Sequence, residues 1–182
     1  MKVLAFAASS SRRSINKQLV TAAGHLLQQE LAPSAQLEVL DLNDYEMPLY
    51  SVDREQQSGV PQEANRFLEK IAGADALLIS YAEHNGSYTA AWKSHFDWMS
   101  RVEKKVFQGK SMVILSTSPG PGGARSVLAS AENSAPFFGA EIRGTFSLPK
   151  FGENFDTDAQ TVSNDEKREE LLQALKALVE AS

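Results

Sequence analysis

The sequence predicts a doubly wound α/β fold, a parallel sheet held between two layers of helices, as one domain over residues 1–182. Three observations carry this. Short, nearly all-apolar runs recur at Lys2–Ala8, Ala76–Tyr81 and Ser111–Thr117, the length of strands buried on both faces. Longer segments between them repeat apolar residues at helical spacing. Each of the three runs opens into a polar or glycine-rich loop before the next helix, which is half of a βαβ unit.

The first strand is Lys2–Ala8. Its apolar stretch is six residues, short of the roughly 7–15 of a secretory leader. No other stretch approaches the length needed to span a membrane, so a cytoplasmic protein with no membrane partner is expected. Residues 9–14 form a hydroxyl-rich loop. A helix from Ile15 to about Leu31 carries Leu19, Ala22, Ala23, Leu26 and Leu27 on one stripe, and Pro33 ends it. Leu37, Val39 and Leu40 make strand two. The 18-residue connection 43–60 is long for a compact domain, where such loops are often functional.

Pro61 opens a second helix through Phe67, Leu68 and Ile71. Strand three, Ala76–Tyr81, breaks into the polar loop 82–87, and a helix follows through Trp92, Phe96 and Met99. Strand four, Ser111–Thr117, leads into a loop with three glycines and two prolines at 118–123. A fourth helix covers about 124–138, and residues 142–148 make strand five. Residues 150–163 read as irregular. Asn164 to Lys167 caps a closing helix striped by Leu171, Leu172, Leu175 and Leu178.

Composition narrows the function. The net charge is −5 with no basic block, which argues against nucleic acid. The absence of cysteine excludes disulfides, thiolate metal sites and cysteine nucleophiles. His25, His84 and His95 sit on separate elements without metal-ligand spacing, so no metal site is expected. No G-x-S-x-G elbow, Walker loop or post-strand G-x-G-x-x-G occurs.

A sheet of this kind takes the strand order 2-1-3-4-5 or the six-strand order built on 3-2-1, and ligands sit beyond the strands' carboxyl ends. With the first order, loops 9–16 and 82–87 meet at the switch point and 118–123 flanks them. Ser9, Ser11, Ser14 and Asn16 at a helix N-terminus suit a phosphate, or equally cap the helix. Glu83 to Ser87 suits the edge of a planar heteroaromatic ring, which Gly86 lets come close, or is a plain turn before a cap at Ser87 or Thr89.

Several motifs occur in a shared order: Ser14-Ile15-Asn16, Asp41 to Tyr45 with Pro48-Leu49-Tyr50, Ala82-Glu83-His84-Asn85-Gly86-Ser87, Asp97-Trp98-Met99-Ser100-Arg101, and Ser116-x-Ser118 with Gly122-Gly123. Together, over about residues 1–148, they resemble the NADPH-dependent FMN reductase family, which includes quinone, azo-dye and chromate reductases. The resemblance implies a flavodoxin-like fold of order 2-1-3-4-5 with α/β/α layers. It also implies FMN as cofactor, NADPH or NADH as electron donor, and a small-molecule electron acceptor. By position, Ser9, Ser11, Ser14, Ile15 and Asn16 would bind the phosphate. Ala82, Glu83, His84, Asn85 and Gly86 would line the flavin ring, and Ser116, Ser118, Gly120, Gly122 and Gly123 would close its other side. No side chain is singled out as catalytic, since the flavin carries the chemistry. The sequence departs from the family at Ala8 (commonly Gly), Ala82 (Pro) and His84 (Tyr).

On the helix after strand three, Trp92, Phe96 and Met99 make one stripe, while Ala91, His95, Trp98 and Val102 make another. Only one can face the sheet, so the second predicts a subunit interface. The family's habit of forming dimers, or dimers of dimers, points the same way. The rival function is an electron-carrier flavodoxin without its own NAD(P)H-linked activity. The modest charge and the Ser-Ile-Asn loop count against it. A phospho-acceptor signalling domain lacks its acidic residues, because Ser9-Ser10 and Tyr81-Ala82 stand in their places.

Overall fold

The computed structural model describes residues 1–180. Five strands, β1 (Lys2–Ala8), β2 (Gln36–Leu40), β3 (Ala76–Tyr81), β4 (Ser111–Thr117) and β5 (Glu141–Leu148), pair in parallel in the order 2-1-3-4-5. This is the flavodoxin-like order. Among the described residues, seven helices accompany them: α1 (Ile15–Glu30), α2 (Val52–Ser58), α3 (Gln62–Ala72), α4 (Ala90–Val102), α5 (Arg125–Ser134), α6 (Phe151–Asn154) and α7 (Asp165–Glu180).

Alternation along the strands makes two cores. Val3, Ala5 and Leu78 face α1 and α7, packing with Leu19, Leu27, Leu171 and Leu175. Leu4, Phe6 and Ile79 face the other way, toward Phe67, Trp92, Met99 and Val127 of α3, α4 and α5. Because both faces are covered, the central strands are apolar throughout, which is why they read as uninterrupted runs. The register pairs Ala8 with Tyr81 and Tyr81 with Ser116, so β1, β3 and β4 end level. Their three outgoing loops therefore leave from one edge.

Three features differ from the sequence expectations. The connection 43–60 holds a 3₁₀ turn (Leu42–Tyr45) and α2. No residue of α2 is buried, so it leaves no apolar stripe to read. The stretch 150–163 folds into α6 and a two-residue hairpin, Phe155–Asp156 with Thr161–Val162. Phe151 stacks on Phe155 there at 4.6 Å. The fourth helix stops at Ser134, and a 3₁₀ turn completes Ala135–Phe138.

The second stripe of α4 is also corrected. Trp98 is 1% exposed and needs no second subunit to cover it. The chain's own connection roofs it: the Trp98 indole N–H and the Ser94 hydroxyl both donate to the Pro48 carbonyl, at 2.7 and 3.1 Å. Tyr50 sets its ring edge-on to the indole at 4.9 Å. His95 is buried too, its Nδ1 bonded to the Ala91 carbonyl at 2.7 Å. Only Val102 of the bulky members stays open, at 45% exposure. Helical spacing showed the second stripe, but not the loop that covers it.

Candidate functional site

The level strand ends bring loops 9–16, 82–87 and 118–123 to one corner, and buried hydrogen bonds brace them. The Thr89 hydroxyl donates to the Ala8 carbonyl at 3.0 Å and accepts the Trp92 N–H at 3.1 Å, capping α4 and tying it to the end of β1. The Glu83 carboxylate accepts the Val127 N–H at 2.9 Å, in the first turn of α5, where the helix end favours negative charge. Asn16 joins the first loop to the strands behind it. Its Oδ1 accepts from the Ser80 hydroxyl at 2.7 Å and the Thr117 N–H at 3.1 Å, and its Nδ2 donates to the Thr117 carbonyl at 3.2 Å.

The first loop presents a donor set. Ser14 caps α1, accepting the Lys17 N–H at 3.2 Å, and Ser9 accepts the Ser11 N–H at 3.2 Å. Both hydroxyl hydrogens remain available to a ligand. The backbone N–H groups of Arg12, Arg13, Ile15 and Asn16 have no partner among the described residues. They gather at the positive end of α1, an arrangement suited to an anion. Asn16 contributes its main chain to this set. Its side chain, expected from the sequence as a phosphate donor, is turned inward and engaged by β3 and β4.

The second loop is a hairpin, Glu83–His84 with Ser87–Tyr88. Asn85 and Gly86 have φ of +53° and +76°, the pair of left-handed residues that a two-residue turn requires. His84 is exposed on it and Ala82 is buried at its base. The third loop divides in two. Gly123, at φ +61°, is packed: a Cβ there would lie 2.2 Å from the Ser147 Oγ. Its carbonyl accepts from the Ser116 and Ser147 hydroxyls at 2.7 and 2.9 Å. Ser116 is thus spent inside the fold, and the Ser118 hydroxyl donates locally to the Gly120 carbonyl at 3.2 Å. By contrast, Cβ atoms on Gly86, Gly120 or Gly122 would meet nothing within 4 Å. Space beside these three glycines lets a flat ring approach main chain.

Thr89 is the cap that the sequence offered beside Ser87, whereas Ser80, Thr117 and the Val127 N–H are members of this corner that no sequence motif marked. Ser80 did leave a signal, being a serine inside the apolar run of β3. The corner holds anion donors and ring-sized openings, and it lacks a nucleophile–base pair. No group of three or more His, Cys, Asp or Glu suited to a metal occurs among the described residues. No helix among them is long and apolar enough to cross a membrane.

Residues 1–153 match the family of NADPH-dependent FMN reductase. An NADPH:quinone oxidoreductase of Arabidopsis thaliana is 34% identical over 126 residues, covering 69% of this chain and 62% of the relative. A 2-hydroxy-1,4-benzoquinone reductase of a Burkholderia species is 37% identical over 122 residues, 66% of this chain and 62% of the relative. The chain thus spans about three fifths of the length of these curated relatives. Among solved structures, the flavoenzyme NAD(P)H:(acceptor) oxidoreductase FerB of Paracoccus denitrificans shares the fold, with a TM-score of 0.76 and 24% identity over 98% of this chain and 95% of that one.

Proposed function

The chain belongs to the NADPH-dependent FMN reductase family, and from that premise we propose that it is a cytoplasmic NAD(P)H-dependent oxidoreductase that reduces a small acceptor through bound FMN. The observation that carries this reading is the pairing of free N–H groups at the start of α1 with open glycine faces at 86, 120 and 122. The residues present fit FMN in kind. The main chain of residues 12–16 with the Ser9, Ser11 and Ser14 hydroxyls would hold the phosphate. The hairpin tip and Gly120 to Gly122 would flank the ring.

Bound FMN supplies two-electron chemistry between a nicotinamide donor and the acceptor. This chain's part is positioning. Its main-chain donors at the loops would hold charge on the cofactor, and the buried braces of Asn16, Glu83 and Thr89 keep those donors in place. The quinone-reducing relatives favour a quinone as the acceptor class. An electron carrier is disfavoured, because the family and these relatives are reductases.

FMN titration tests the reading. Protein should bind about one FMN per chain and oxidise NADPH when a quinone is supplied. Ser14→Ala should weaken FMN about tenfold while leaving riboflavin little changed, since a charge-assisted bond is worth roughly 1.5–3 kcal/mol. Absence of FMN binding in well-folded protein would overturn it. We further propose self-association through Leu49 and Val52, which are 64% and 57% exposed on the connection. Light scattering on wild type and Leu49→Glu checks this.

A further inference from the structure

Between α4, the hairpin and the turn at Ala135–Phe138 lies a cavity of about 210 Å³, lined by Tyr88 at the hairpin's base and by no residue of 9–16, 82–87 or 118–123. Its walls are aromatic. Tyr88 meets Tyr81 at 5.7 Å, Tyr81 meets Trp92 at 6.0 Å, Trp92 meets Phe96 at 5.9 Å, and Phe96 meets Phe138 at 4.7 Å. An apolar cavity of about 150 Å³ admits benzene, so this one has room for a substituted ring or a compact two-ring system.

The polar groups define what the ring must carry. Ser134 donates its one hydroxyl hydrogen to the Ser130 carbonyl at 2.8 Å. The hydrogen between the Tyr88 and Ser134 oxygens, 3.1 Å apart, therefore comes from Tyr88. The Tyr88 oxygen is left with lone pairs and no donor among the described residues. On α4, the Lys93–Asp97 ion pair at 2.7 Å also borders the cavity, with Lys93 reaching into solvent. Ser100, which also lines the cavity, spends its hydrogen on the Asp97 carbonyl at 2.8 Å, so the hydroxyls of Tyr88, Ser100 and Ser134 can only accept from a ligand, and an aromatic cage that asks for a donor is a specific demand.

We propose that this cavity binds a hydroxyarene, its ring among the aromatic side chains and its hydroxyl donating to Tyr88. It is a second site, distinct from the corner proposed for FMN. The two are neighbours, because Tyr88 stands at the base of the hairpin whose tip is Asn85–Gly86.

Calorimetric titration with 2-naphthol and 2-methoxynaphthalene, on FMN-free and FMN-loaded protein, tests this. The site should take one 2-naphthol per chain, more tightly than the methoxy compound, and FMN should not displace it. Tyr88→Phe keeps the ring and removes the acceptor. It should weaken 2-naphthol about tenfold and bring the two ligands level. Ala135→Leu fills the cavity and should abolish binding of both; if it does not fold, Tyr88→Phe and the FMN competition decide. No 2-naphthol binding, stoichiometric displacement by FMN, or unchanged affinity in Tyr88→Phe would each overturn the proposal. Naphthol binding to FMN-free protein is read separately from FMN binding, so either idea can fail alone.

Discussion

Replacing Asn16 with alanine separates two roles for this residue, a ligand to phosphate and a brace between α1 and the sheet. The side chain is buried and makes three hydrogen bonds, two to Thr117 and one to Ser80. Alanine leaves the Thr117 N–H and the Ser80 hydroxyl without an acceptor in sites closed to water. It also removes the donor to the Thr117 carbonyl. Each buried polar group so stranded costs about 1–3 kcal/mol, and the three share one site, so about 4 kcal/mol in total is a reasonable sum. For a chain of this size each kcal/mol lowers Tm by about 2–4 °C, giving a fall of about 8–16 °C. Scanning calorimetry and urea unfolding of FMN-free protein measure this without the cofactor. FMN affinity should fall as well, because the loop loses its anchor, but riboflavin should weaken alongside it. A variant as stable as wild type that loses FMN and keeps riboflavin would refute the brace and return the side chain to the phosphate.

Gly123→Ala should destabilise by about 1–3 kcal/mol, since φ is +61° and the new Cβ meets Ser147 Oγ at 2.2 Å; Gly122→Ala, which faces open space, should change urea stability by under about 0.5 kcal/mol. Trp98→Phe loses the bond to Pro48 and should cost about 1–2 kcal/mol with no change in sedimentation; altered sedimentation at full stability would restore the stripe as an interface. Burial works to raise the Asp41 carboxyl, yet the Lys17 ammonium and the Asn43 donors outweigh it and hold it below the ordinary range. A depressed carboxylate stabilises above its unfolded value, and the benefit is lost as pH falls through the folded value. Lys17→Met should therefore cost up to about 1 kcal/mol at pH 6 and almost nothing near pH 2, and urea melts showing equal cost at both would refute the pair.

What the sequence determined by itself is the layered sheet and the place of the three loops proposed to bind a ligand. Strands buried on both faces must be apolar at every position, and helices between two layers must be striped, so both periods are written in residue order. The Asn85-Gly86 pair, the Ser14 cap and the apolar runs ending at Ala8, Tyr81 and Thr117 are local facts of the same kind. Which polar side chains face a ligand is not local. Ser9, Ser14 and Asn16 look alike in sequence. The fold leaves the two hydroxyl hydrogens open and turns the Asn16 amide 101 residues along the chain to Thr117. Ser116 and Gly123, both expected beside a ring, are joined inside the third loop by the Ser116 hydroxyl donating to the Gly123 carbonyl, a contact the residue order does not announce. Trp98 was expected to need a partner, until Pro48 and Tyr50, some 50 residues earlier, closed over it. A hydrogen bond or a covered ring depends on distances between segments that share no periodicity, and only the packed chain sets those distances.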